Sequence, residues 1–423
     1  MFSKFLLMMR DGKYYGPLIA SYLAVAFVFV VNILMARMMG AQDFGVISII
    51  IGWALLAATL GHAGMPALSL REMSSIDQST HLKAGLVPTA LMTVTLCTLT
   101  VGIPIAVAYS LTSGAAFLPN MLSSVAIVGL ALASVYITLM SVIWRTMKLP
   151  ILSVVIDKVW RPAGFLVVLA VFFGSGLNSD QVIIGMVGFG LICAAAMASH
   201  IHSRFADLTL GKIKDIPGAM KAGWSFWVSH FSPNVIKRSD IIILGLTQGP
   251  VATALYVVAQ RFSELGTIAG ASLNTIIGPK MSLQSGEADA SVKKTGQIAL
   301  LKESLILSIL LGVPACLIIG VASDFALALM GQEFRSAKTA LIILLVASLV
   351  VIAGRPSALL LSMSGREGVV AKINFVALVI HVILFSALSI IWGLEGAACA
   401  RLITLCGAHG STMFVVFRGL KAQ

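Results

Sequence analysis

Apolar runs of about 20 residues or more recur along almost the whole of this sequence, and in lipid a run of that length is enough for one helical crossing. They fall at 17–38, 44–67, 84–110, 120–143, 150–173, 181–201, 221–246, 250–276, 298–322, 339–362, 369–391 and 393–416. Glycine and proline mark many of the joints, among them Gly40, Pro119, Pro150, Pro217, Gly249-Pro250, Gly331 and Gly365. Only 11% of the residues are charged and 58% are hydrophobic, against about one-quarter charged in a water-soluble chain. So much apolar side chain needs lipid as its solvent. Within lipid only helices and closed barrels satisfy their backbone groups. The runs are continuous rather than alternating segments of about ten, which selects helices. The expected fold is an all-α polytopic membrane protein of twelve transmembrane helices.

The chain repeats weakly at an offset near 210. Gly40 opens the second span and Gly249 the eighth. Val101-Gly102-Ile103-Pro104 in the third span corresponds to Leu311-Gly312-Val313-Pro314 in the ninth. The offset crosses six spans, so the halves share an orientation, as parallel repeats do. We expect two six-helix bundles around a central cavity: residues 1–203 with a short amphipathic start, a cytoplasmic linker at 204–220, and residues 221–423. If residue 1 is cytoplasmic, most loop lysines and arginines share its side. The opposite loops hold only Arg335 and Lys338, with Arg37 near a helix end. The positive-inside rule then puts both termini in the cytoplasm.

Charges well inside spans are the functional candidates, because an ionisable group in hydrocarbon costs several kcal/mol (about 3 on insertion scales) unless it meets a partner, a cavity or headgroups. They are Asp157, Lys158 and Arg161; Lys237, Arg238 and Asp240; Arg261 and Glu264; Arg355; and Arg401. Basic groups outnumber acidic ones, so a shared cavity would attract an anion, and arginine and lysine clamps suit phosphate or pyrophosphate. Lys158 and Arg161 have snorkelling to the headgroups as their alternative. Arg37 is a candidate at the outer end of the first span. Asp240 is placed to neutralise Lys237 or Arg238, and Arg261 and Glu264 at i,i+3 to pair with each other. Asp240, Glu264, Asp157 and His230 are candidates for ion coupling or charge balance, and His62 and His230 lie at depths where a histidine could titrate. Tyr256, Trp224 and Trp227 are candidate sugar-stacking surfaces.

Cys97, Cys193, Cys316, Cys399 and Cys406 all lie in apolar spans without CxxC spacing, and read as small buried hydrophobes rather than disulfides or metal ligands. The net charge of +12 is ascribed to cytoplasmic loops and a basic cavity, not to nucleic acid as a partner. No Walker lysine loop, HExxH, GxSxG or dinucleotide-binding glycine motif is present. The expectation is a transporter rather than an enzyme, without a cofactor, driven by an H+ or Na+ gradient, the membrane potential or the substrate gradient.

The stretch from Met35 to Gly45, with Ala36-Arg37 and Asp43-Phe44-Gly45, resembles the ARxLGxxDFG junction between the first two helices of bacterial polysaccharide-biosynthesis flippases. Ala67-Leu68-Ser69-Leu70-Arg71-Glu72 resembles the end of their second helix. Asp240 to Gly245, Gly249-Pro250 and Tyr256 to Arg261 resemble their seventh and eighth helices, and Gly331-Gln332-Glu333-Phe334 the GxxF loop before the tenth. The resemblance implies a lipid-linked oligosaccharide flippase of the multidrug/oligosaccharidyl-lipid/polysaccharide exporter superfamily, in the bacterial inner membrane. It would move an undecaprenyl-diphosphate-linked glycan to the periplasmic leaflet for O-antigen (lipopolysaccharide), exopolysaccharide or capsule assembly. Membrane lipids and a polysaccharide polymerase machinery are the implied partners, and a monomer is the default. The alternatives are a multidrug or small-molecule exporter of the same superfamily and a membrane polysaccharide polymerase or ligase. The absence of a large external loop speaks against the polymerase or ligase.

Overall fold

A computed structural model of the chain describes residues 15–74, 86–112, 121–146, 149–172, 178–204, 216–285 and 290–422, and every regular element among them is helical. In chain order these are α1 (Tyr15–Gly61), α2 (Met65–Ser74), α3 (Leu86–Thr112), α4 (Met121–Thr146), α5 (Pro150–Val171) and α6 (Ser179–Arg204). The second half holds α7 (Ile216–Ser285), α8 (Ala290–Val321), α9 (Ser323–Met330), a 3-10 turn (Gln332–Ala337), α10 (Lys338–Met363) and α11 (Glu367–Ala422).

Eight of the described helices have the length and apolarity to cross a membrane. Three of them, α1, α7 and α11, each break at one glycine and make two crossings. The helix α5 falls outside the eight, since Asp157, Lys158 and Arg161 interrupt its apolar run. With it, the helices account for the twelve expected spans. Gly40 (φ 72°, ψ 173°) and Gly249 (φ 80°, ψ −174°) share one conformation that is essentially closed to residues with a Cβ. They stand at matching places in the two halves, as do Pro104 inside α3 and Pro314 inside α8. The repeat in the sequence is therefore a repeat in backbone geometry.

The chain divides into two compact units. Unit 1 comprises Met1–Met39 and Ile50–Phe231; unit 2 comprises Gly40–Ile49 and Ser232–Gln423. In unit 1, α4 is the central helix: Ile127, Leu130, Ile137 and Leu139 are fully buried, with α3, α5 and α6 packed on it. In unit 2 a core of Ile277, Met281, Leu301, Leu360, Leu361 and Val416 joins the second arm of α7 to α8, α10 and α11. Large apolar side chains also point outward, with Leu111 79% and Val321 89% exposed. In water such a surface would aggregate; in a bilayer it is the solvated face.

Gly40–Ile49 begins the second arm of α1, yet it packs as part of unit 2. The Ala41 amide donates to Glu333 Oε1 at 2.7 Å, so a carboxylate caps a helix start whose own amides lack partners. Phe44 meets the fully buried Phe334 edge to face, centroids 6.2 Å apart. A Cβ at Gly45 would lie 2.0 Å from the Pro250 carbonyl oxygen, so only glycine allows that approach. The GAQDFG and GQEF stretches are thus two sides of one joint.

Candidate functional site

Charge at membrane depth gathers in unit 2. Helix α7 places Lys237, Arg238 and Asp240 on its first arm, and Gln260, Arg261 and Glu264 on its second. Arg355 stands on α10 beside Pro356, and Arg401 on the second arm of α11. Lys237 Nζ lies 3.2 Å from Glu264 Oε1, with the lysine about half exposed. Gln260 Nε2 donates to the same oxygen at 3.2 Å. Arg355 Nη1 donates to the Thr267 carbonyl at 3.1 Å. Arg261 is exposed and Arg238 half-buried. Glu264 also lies within electrostatic reach of Arg261, Arg355 and Arg401.

Asp240 is the hub of a second, sealed cluster. Its side chain and that of His381 have no exposure, and Arg401 is 9% exposed. His381 Nε2 lies 2.6 Å from Asp240 Oδ1. The other carboxylate oxygen accepts from Arg401 Nη1 and, at 3.1 Å, from the Tyr256 hydroxyl. His381 Nδ1 is 3.1 Å from Thr404 Oγ1. Phe385 packs against both the His381 and Tyr256 rings. The cluster ties both arms of α7 to both arms of α11.

This geometry revises several expectations. Asp240 neutralises Arg401, not Lys237 or Arg238. At 3.6 residues per turn it points about 160° away from Arg238, out of reach of that guanidinium. Glu264 pairs with Lys237 rather than with Arg261, because the long lysine stem reaches across from the other arm. Tyr256 is fully buried with its hydroxyl on Asp240, so it offers no face to a sugar. Of the cysteines, Cys406 is exposed and only Cys316 is fully buried. His381, Thr404 and Glu333 are newly brought to notice. The depth argument that marks Arg401 applies equally to His381, in the middle of the span 369–391.

The unit 1 candidates satisfy themselves locally. Thr138 Oγ1 donates to Asp157 Oδ1 at 3.3 Å. Lys158 Nζ donates to the Ser21 hydroxyl, tying α5 to α1. Arg161 lies over the Trp160 ring, 5.5 Å from its centroid. Arg37 is exposed near the end of the first arm of α1. Trp224 and Trp227 stack at 5.0 Å, continued by Phe231. The His62 imidazole Nε2 is buried and has no hydrogen-bond partner among the described residues. The side chain of His230 lies outside the described residues.

The chain is a helical membrane protein built of two repeats, each broken at a matching glycine, with basic groups at depth. Its fold is that of the MOP superfamily. A multidrug resistance MATE family transporter of that superfamily, in its inward-facing conformation, is similar over 94% of this chain and 95% of its own, with 14% identity and a TM-score of 0.71. The lipid II flippase MurJ, in an inward closed conformation, is similar over 95% of this chain and 87% of its own, with 13% identity and a TM-score of 0.70. A MOP superfamily transporter from Pyrococcus furiosus, described as having a binding pocket of reversed polarity, matches over 96% and 94% with 13% identity and a TM-score of 0.64. No curated protein gives a significant sequence match. The model of the polysaccharide biosynthesis protein family matches residues 17–282, and the chain belongs to that family. It shares the fold of these MOP-superfamily structures and is an integral membrane protein.

Proposed function

We infer that this protein is an alternating-access flippase for an undecaprenyl-diphosphate-linked oligosaccharide, moving it from the cytoplasmic to the periplasmic leaflet for surface polysaccharide assembly. The observation that carries the reading is the excess of basic groups in unit 2. Among the described residues, Asp240 is matched by Arg401 and Glu264 by Lys237, while Arg261 and Arg355 form no ion pair. Arg261 and Arg355 carry the excess positive charge that would meet an anion, with Lys237 and Arg238 beside them on α7, and a diphosphate is the anionic part of such a lipid. Family membership supports polysaccharide assembly as the setting.

The work required is physical rather than chemical. A diphosphate and its hydroxylated sugars cannot enter hydrocarbon without compensation, since each unpaired polar group costs several kcal/mol (about 4–8 against an alkane). Arginine donors replace phosphate hydration in a fixed geometry, while the prenyl chain stays in lipid. Drug exporters share the fold, but a cationic cargo would be repelled by the same groups. The positive-inside pattern supports cytoplasmic termini and insertion in the bacterial inner membrane. The cycle needs no cofactor, and the glycan-lipid and surrounding lipids are its partners.

Binding to the full chain in nanodiscs tests the site. Undecaprenyl-diphosphate-linked glycan is expected to bind more tightly than the monophosphate form. Arg355→Ala and Lys237→Ala/Arg238→Ala should each weaken binding by roughly tenfold or more, the value of a charge-assisted hydrogen bond of about 1.5–3 kcal/mol. Equal binding of the two lipids, with folded variants unaffected, overturns the reading.

A further inference from the structure

We propose that His381 is a proton-binding site of the transport cycle, with Thr404 as the switch that accompanies its loss of a proton. The inference rests on the transporter reading above, but its evidence is the hydrogen-bond arithmetic of the sealed cluster.

A threonine hydroxyl has one proton to donate. Thr404 donates it to the Ala400 carbonyl, one turn back on the same helix, at 2.8 Å. While it donates there, the oxygen presents a lone pair to His381 Nδ1 at 3.1 Å, and in that arrangement the nitrogen carries the hydrogen. On the other side of the ring, Nε2 faces Asp240 Oδ1 at 2.6 Å, and an ionised carboxylate only accepts. Both ring nitrogens thus face acceptors. In that arrangement the imidazole satisfies both only as the doubly protonated imidazolium.

The same residues also form a complete neutral arrangement. If Nδ1 gives up its proton, Thr404 turns its hydroxyl hydrogen from Ala400 to Nδ1, and Nε2–H still donates to Asp240. The departing proton goes to water, and nothing else is consumed. Among the described residues, the charged groups facing the ring are Asp240 and, through Asp240, Arg401; Tyr256 is a further titratable neighbour on Asp240, Phe385 packs against the ring, and Glu264 lies within electrostatic reach of Arg401. Asp240 and Arg401 cancel, so the cluster carries one positive charge with His381 protonated and none without.

Two features suit this site to coupling. His381, Asp240 and Tyr256 have no exposure, so the proton exchanges only when the helices part. Asp240 also lies three residues from Lys237 on the first arm of α7. Losing the proton removes the positive charge from the donor side of the bond between α11 and α7, weakening the tie to the arm that carries the basic groups.

Two readouts on full-length protein in lipid test this. The first is 15N NMR of histidine-labelled protein, with His381 assigned by its disappearance in His381→Gln. Two N–H groups on His381 are expected at acid pH, one being lost as pH rises. Thr404→Val should shift the midpoint of that change, because it removes the acceptor for Nδ1–H. A single neutral tautomer throughout the accessible range, or a midpoint indifferent to Thr404→Val, overturns the proposal. The second is transport of a fluorescent undecaprenyl-diphosphate oligosaccharide under an imposed pH gradient. The wild type should respond to the gradient, and His381→Gln should lose that response while still folded. A response retained in His381→Gln also overturns the proposal. If the wild type moves no such lipid, the flippase reading fails, and the NMR result still decides the fate of the proton site.

Discussion

Removing the Arg401 guanidinium should destabilise unit 2 far more than the loss of an ordinary membrane hydrogen bond. In Arg401→Met, the fully buried Asp240 loses its arginine partner and keeps only His381 and the Tyr256 hydroxyl. Breaking a buried ion pair from one side costs about 3–5 kcal/mol, whereas hydrogen bonds between membrane helices average about 0.6 kcal/mol. The two accounts differ several-fold, which an unfolding measurement resolves. Asp240→Asn removes the charge at the other end and leaves Arg401 buried and unmatched. Asp240→Asn/Arg401→Met removes both charges and should be less damaging than either single change, although His381 and Tyr256 then meet an amide in place of a carboxylate. The assay is chemical unfolding of the four proteins in one detergent, read as a double-mutant cycle with a coupling energy of several kcal/mol (about 3 or more). Single changes worth less than about 1 kcal/mol, or a double equal to the sum of the singles, would refute the claim that Asp240 and Arg401 are a desolvated pair.

Other residues give independent checks. Gly40→Ala and Gly249→Ala force a Cβ into backbone at φ 72° and φ 80°, and each should lower stability by about 1–3 kcal/mol in thermal unfolding, with Gly365→Ala, whose Cβ would meet nothing, as a comparison for positive φ alone. Glu333→Ala removes the carboxylate cap on Ala41 and should increase hydrogen exchange at the start of the second arm of α1, with a stability loss of about 1 kcal/mol. Glu264→Gln cancels one of the two carboxylates among the unit 2 basic groups. It should tighten binding of inorganic pyrophosphate to the solubilised protein, and weaker or unchanged binding would count against an anion site at Lys237.

Helices, joints and the repeat were legible in the sequence because lipid imposes a length rule that each span obeys on its own. Gly40 and Gly249 declared themselves as joints, and the reason became visible only in their shared dihedral angles. Candidate charges were legible for the same reason, since depth alone marks Arg355, Arg401 and Asp240. Their partners were not. Arg401 is 161 residues from Asp240 and His381 is 141, and no spacing rule within one helix reports such pairs. Tyr256 and Phe334 have the composition of contact surfaces, yet helix packing buries both. Likewise GAQDFG and GQEF were recognisable as separate stretches, while their meeting at Ala41 and Glu333 depends on a contact across 292 residues.

The measurement that bears most directly on the account is leaflet transfer in liposomes. Purified protein would be reconstituted with a fluorescent undecaprenyl-diphosphate-linked oligosaccharide, and the fraction reachable by an external quencher followed with time. The account predicts transfer by the wild type, its collapse in folded Arg355→Ala and Lys237→Ala/Arg238→Ala, and no transfer of a cationic lipid dye of similar size. Transfer of the cationic dye but not of the diphosphate lipid, over several glycans and imposed ion gradients, would contradict it.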